Sequence, residues 1–169
     1  MESKMELRGL VIAELFGPDG KLKQREEQHN LVTTVGDNYF AGLPYGTKVA
    51  ANLNAMKLGT ATTTATKTGA GAFPAVADYI SGSAHAVDNS TPKAGSAANI
   101  TQWEHTWAAG EATNATINRV GLVGCVSTVD DAGEADASRT WAMAVFSGAI
   151  NKGAADTLKV TWNVTCLGA

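Results

Sequence analysis

Residues 58–72, LGTATTTATKTGAGA, carry the residue types of a phosphate-gripping loop: glycines, threonines and one lysine. A nucleotide loop needs G-x-x-x-x-G-K-[ST] between a strand and a helix, so that successive amides and the lysine converge on phosphate. Here Lys67 precedes Gly69 instead of following a glycine, and Gly69-Ala70-Gly71 has no third glycine at the required offset. The stretch therefore reads as a path of the chain over a surface, and no cofactor is expected.

The other chemistry-bearing residues are as sparse. His29, His85 and His105 never stand two or four positions from another histidine or a cysteine, so no zinc spacing exists. His105 falls between Trp103 and Trp107 on one strand face, where a packed histidine is expected rather than a general base. Asp130, Asp131, Glu134 and Asp136 gather in VDDAGEADAS but lack the D-x-[DN]-x-[DN]-G order of a calcium loop and read as a solvated acidic turn. Cys125 and Cys166 are 41 positions apart at the ends of strand-like runs, in the manner of small buried thiols. With no G-x-S-x-G elbow either, no catalytic or metal residue is assigned and the chain is not expected to be an enzyme. Four tryptophans, Trp103, Trp107, Trp141 and Trp162, offer the rings of a carbohydrate-binding module, but their strand positions favour a sandwich core.

The elements that carry these residues alternate with period two. In TLKVTWNVTCL, Leu158, Val160, Trp162, Val164 and Cys166 share one face against Lys159, Thr161, Asn163 and Thr165. ITQWEHTW sets Trp103, His105 and Trp107 against Gln102, Glu104 and Thr106, and TWAMAVF sets Trp141, Met143 and Val145 against Ala142, Ala144 and Phe146. ATINRVGLVGCV is apolar on both faces towards its end, with Gly121 and Gly124 suggesting a bulge or close backbone contact. LRGLVIAELF, GPDG and KLKQREEQHNLV predict a hairpin over 6–32, its polar return strand an edge or a projecting ribbon. A short helix is predicted from Thr34, its cap, with Val35, Tyr39, Phe40 and Leu43 on one face and Pro44 as its stop. A second turn of helix is predicted over 74–80. The expected fold is mainly β: one antiparallel β-sandwich with the hairpin and one or two short helices. Its expected core holds Val35, Tyr39, Trp103, Trp107, Ile117, Trp141, Val145, Val160, Trp162 and Val164.

At 169 residues the chain is most simply one domain. Its net charge is −3, and the nearest basic run, 21–25, is cancelled by Glu26 and Glu27, which disfavours nucleic acid as a partner. The apolar start is broken by Glu6, Arg8 and Glu14, so neither a secretory core nor a membrane span is expected. From 59 to 99 the composition changes: 27 of 41 residues are Ala, Thr, Gly or Ser, and four are charged. Such a segment cannot bury enough apolar area to order itself. A neighbouring subunit is the expected support, and removal of 61–98 is expected to leave the sandwich folded.

The order of segments HNLVTTVGDNYFAGL, MKLGTATTTATKTGAGAF, HTWAAGEATNATINRVGLVG and RTWAMAVFSGAINKGAADTLKVTWNV resembles small virion structural proteins of tailed bacteriophages. The similarity lies in NLVT-x-x-G, LGT-x-T, AGEAT-x-x-I-x-x-VGL and KGAADTLKVTW, from about residue 29 onward, and covers the amino-terminal hairpin poorly. Proteins of this kind serve as capsid decoration (cement) proteins or as tail-fibre and tail-adaptor parts. The resemblance implies a β-sandwich, often jelly-roll-like, assembled as a dimer or trimer on the outer surface of the capsid, with the major capsid protein as partner and no catalytic residue. The contact elements expected for that role are the hairpin, through Lys21, Lys23 and Arg25, and the small-residue segment, through Thr62, Thr64, Lys67, Phe73 and Tyr79.

Overall fold

The computed structural model describes residues 5–42, 52–67, 79–88, 93–94, 99–125 and 140–168. Ten strands and one helix follow in chain order among them: β1 (Met5–Phe16), β2 (Leu22–His29), β3 (Leu31–Val32), α1 (Thr34–Gly42), β4 (Asn52–Gly59), β5 (His85–Ala86), β6 (Lys93–Ala94), β7 (Ile100–Trp107), β8 (Asn114–Cys125), β9 (Thr140–Lys152) and β10 (Thr157–Gly168). They form two five-stranded antiparallel sheets, ordered β2-β1-β10-β7-β6 and β3-β9-β8-β4-β5. The chain is a β-sandwich.

The hairpin forms where GPDG predicts it. Gly20 closes the turn at a φ of +74°, a conformation that a side chain would strain, and donates its amide to Gly17 O at 2.9 Å. The hairpin is not a separate ribbon, however. β1 pairs with β10 along its whole length, from Met5 opposite Gly168 to Phe16 opposite Thr157, so only β2 is an edge. After His29 the chain changes sheets. Asn30 lies so close over Gly9 that a Cβ there would come within 1.4 Å of the Asn30 Oδ1, and Leu31–Val32 then pairs with β9.

Apolar residues of both sheets meet in one cluster. Val11, Ala13, Leu15, Leu158, Val160, Trp162, Val164, Trp103 and Trp107 come from the first sheet; Met56, Leu58, Ile117, Val120, Leu122, Ala142, Ala144, Phe146 and Ile150 come from the second. At roughly 1.5–3 kcal/mol for each large side chain buried, this cluster is the main favourable term of the fold. The alternation of β7 and β10 is as predicted. On β9 Trp141 joins the cluster as expected, together with Ala142, Ala144, Phe146 and Ile150, whereas Met143 packs with Ala65 and Tyr79, and Val145 is only half-buried. The second sheet is covered on both faces, so alternation alone does not identify its core side. Val35 and Tyr39 are also half-buried, Tyr39 packing against the cluster and meeting Trp141 edge-on at 75°. The pairing of β8 with β9 shifts register at Leu122/Val123, between the two glycines that suggested a bulge.

The helix begins one residue earlier than predicted. Thr33 is its cap: the Oγ1 accepts the Gly36 amide at 3.1 Å and donates to Thr140 O at 2.6 Å, tying the helix start to β9. Most of the second predicted helix lies outside the described residues; Tyr79, near its end, instead bridges Gly59 as a strand would.

The two lateral openings of the sandwich are closed differently. On one side, Ser147 Oγ donates to Glu26 Oε2 at 2.8 Å and Gln24 Nε2 donates to Ala149 O at 3.2 Å, joining β2 to β9. On the other, residues 79–88 run between β4 and β7, with Ile80 N on Leu58 O at 3.0 Å and Asp88 N on Glu104 O at 2.9 Å.

Candidate functional site

The threonine-rich stretch lies across the outer face of the second sheet, and its own chain holds it there. Arg119, on β8, is fully buried. Its Nε donates to Ala61 O at 2.8 Å, and its Nη2 donates to Thr63 O at 2.8 Å and Thr63 Oγ1 at 2.9 Å. Asn118 Nδ2 donates to Thr60 O at 2.6 Å. At the far end, Thr34 donates through both its amide and its hydroxyl to Lys67 O, at 2.8 and 2.9 Å, and the Lys67 ammonium pairs with Asp37. Lys57, also fully buried, lies 4.1 Å over the ring of Tyr79.

This arrangement inverts a phosphate cradle. The Ala61 and Thr63 carbonyl oxygens converge on the Arg119 cation, where a nucleotide loop would converge amides on an anion. Buried guanidinium is tolerable only when its donors are satisfied, and the fixed fork of arginine suits several carbonyls at once. The expected support from a neighbouring subunit is therefore replaced, over 60–67, by Arg119. Sequence reasoning missed Arg119 and Lys57; the signal was that each is the one charged residue of its strand, β8 and β4. Removal of 61–98 would also take Ile80, Ser83 and Val87, all buried, so residues 79–88 belong to the folded body and the expectation that the sandwich folds without them meets a cost in the core.

The predicted contact residues divide. Thr62, Thr64 and Lys67 are exposed. Lys21 is exposed with Asp19 3.4 Å away, Lys23 pairs with Asp156 at 2.8 Å, and Arg25 pairs with Glu14 at 2.7 Å and with Glu27. The Lys21 and Arg25 pairs face solvent, contribute little stability and leave their charges near water, whereas Asp156 is buried beneath Lys23. Tyr79 is half-buried, packed against Met143 and beneath Lys57. Phe73, the acidic turn at 130–136 and both cysteine side chains lie outside the described residues.

His105 is 7% exposed and its Nδ1 is 2.7 Å from Asp88 Oδ1. The carboxylate fixes the proton on Nδ1, so Nε2 carries the lone pair; it is buried with no hydrogen-bond partner among the described residues. Burial holds this imidazole below its ordinary pKa, against the opposing pull of Asp88. A histidine whose free nitrogen is sealed cannot reach a substrate. The tryptophans are sealed as well, all four at 5% exposure or less, which leaves no ring face for a sugar.

A cleft of about 460 Å³ opens beside α1, lined by Leu7, Leu31, Val32 and Phe40 together with Asp37 and Lys67. Its two charged groups already pair with each other. Among the described residues no group of three or more His, Cys, Asp or Glu side chains could hold a metal ion, and no helix is long and apolar enough to cross a membrane. What the fold and this face define is a β-sandwich with one face roofed by its own small-residue segment. Set against protein-family models, curated proteins and solved structures, the chain matches none.

Proposed function

We propose that this chain is a non-enzymatic structural protein of a bacteriophage virion: a capsid decoration protein that binds the outer shell as a dimer or trimer and stabilises the head by contact with the major capsid protein. The observation that carries this is the disposition of 60–67. Its carbonyls at Thr60, Ala61 and Thr63 turn inward onto Asn118 and Arg119, while Thr62, Thr64 and Thr66 stand exposed. A strip already fixed by its own sheet loses little further entropy when a partner covers it, and threonine has few rotamers to lose. Binding only the assembled shell stabilises it by about 2.7 kcal/mol per site at a hundredfold excess over Kd, and many copies at fixed geometry add to one another. The segment motifs that resemble small virion proteins support the same role.

The test is cosedimentation with shells stripped of the chain, comparing wild type with a Thr62→Glu, Thr64→Glu, Thr66→Glu triple variant. Wild type is expected to bind saturably, and the variant to keep its melting temperature and lose binding. A folded variant that binds like wild type removes the threonine strip as the contact. A wild type that does not bind ends the decoration role.

A further inference from the structure

The lateral opening between β4 and β7 is closed by the only histidine pair in contact among the described residues. His85 stands on β5, at the edge of one sheet, and His105 on β7, in the other; their rings stack at 4.9 Å and 15°. Around them the 79–88 segment is fastened at several points. Ser83 Oγ accepts from Leu58 N at 3.1 Å and donates to Leu58 O at 3.2 Å, and Ser83 O accepts from Trp107 Nε1 at 3.0 Å. His85 Nε2 donates to Gly82 O at 3.1 Å.

We propose that the stacked rings of His85 and His105 form an acid-opened latch, which holds residues 79–88 across the sandwich at neutral pH and releases them when both rings are protonated. The geometry gives the sign. A second proton on His105 must enter at Nε2, which is buried and faces no acceptor among the described residues. A second proton on His85 places like charge on a ring parallel to the first, 4.9 Å away. Two groups oppose this. Asp88 offers one carboxylate to His105, with a side chain 38% exposed, and Glu111 attracts from the turn before β8. One partly solvated carboxylate cannot neutralise two imidazolium rings. The sum is recorded at His105, held below 6.5 by burial first, with Asp88 raising it and His85 lowering it again. Opening restores the ordinary proton affinity, so acid favours the open form. The opposite side, closed by Glu26, Gln24, Ser147 and Ala149, contains no histidine in its contacts and stays shut. The latch does not depend on the role proposed above.

Hydrogen–deuterium exchange on the full chain, from about pH 7.5 to about pH 5 and corrected for intrinsic rates, tests it. The amides of Ile80, Ser83 and Asp88 are expected to lose protection as the pH falls below 6.5, while Val160 and Trp162 on β10 keep theirs. His85→Gln keeps a donor for Gly82 O but no charge, and is expected to reduce the loss. Asp88→Asn keeps an acceptor for His105 but no counter-charge, and is expected to enlarge it. Should His85→Gln not fold, the wild-type series and Asp88→Asn still decide. Unchanged protection of 79–88 in acid overturns the latch, as does loss in step with β10, or an equal loss in the folded His85→Gln variant.

Discussion

Arg119 and Thr63 are joined twice, through the Thr63 carbonyl at 2.8 Å and its hydroxyl at 2.9 Å, although 56 positions separate them in the chain. With Ala61 O on Nε and Met143 Sδ 3.6 Å from Nη1, this buried side chain fixes the middle of the threonine-rich stretch to the sheet beneath it, between the bonds of Asn118 and Thr34. The order of that stretch therefore depends on a group that lies outside it.

Arg119→Met keeps much of the side-chain volume and removes the donors. It is expected to destabilise the fold by roughly 2–4 kcal/mol, since hydrogen bonds to a charged group are lost together. Arg119→Lys keeps the charge but not the fork, and is expected to lie between the two. Urea denaturation of the three proteins measures the ranking, and equal midpoints would show that the stretch is held some other way.

The helix cap gives a test within one dipeptide. Thr33→Ala is expected to cost about 1–2 kcal/mol, because it removes both the acceptor for Gly36 and the tie to β9. Thr34→Ala loses only an exposed hydroxyl bond to Lys67 O, its amide bond remaining, and is expected to cost under about 1 kcal/mol. Thermal denaturation separates them; the reverse order would place the cap at Thr34.

Gly36→Ala reverses the usual helix rule. In a helix interior alanine is favoured over glycine by about 1 kcal/mol. Here a Cβ would stand 2.3 Å from the backbone oxygen of Trp141, which cannot swing away. The variant is expected to lose roughly 1–3 kcal/mol through overpacking. A raised melting temperature would contradict the close seating of α1 on β9.

Asp156 predicts the acid limb of stability. Its Oδ2 accepts from Lys23 Nζ at 2.8 Å and from Gly153 N at 3.0 Å, and Lys23 followed by Gly153 holds its pKa below the ordinary 3.8. With the folded value lower than the unfolded one, the contribution is complete above 3.8 and is lost as pH falls through the folded value. Urea midpoints measured between about pH 5 and about pH 2.5 should fall less steeply in Asp156→Asn than in wild type. Parallel slopes would mean that Asp156 is no better solvated by its partners than by water.

The strands were legible where one face is buried and one is wet. TLKVTWNVTCL and ITQWEHTW alternate because their sheet has its core on one side, and the GPDG turn follows from the positive φ that Gly20 permits. The second sheet was less legible for the same physical reason. With Met143, Lys57 and Arg119 buried outside it and Ala142, Ala144 and Phe146 inside, polarity no longer tells one face from the other. The holder of 60–67 was hidden because Arg119 bonds mainly to backbone carbonyls, and a carbonyl leaves no mark on residue type. The latch residues were visible only as two isolated histidines, since a 20-residue separation carries no ligand or catalytic spacing.

Imaging, at subnanometre resolution, of intact virus particles from the source of this chain tests the proposed role most directly. The account predicts copies on the order of hundreds on the outer shell, in dimers or trimers, with the threonine strip against the major capsid protein. Copies confined to the tail, in the number a few-fold symmetric part requires, would make the chain a fibre or adaptor; particles without the chain would contradict a virion role altogether.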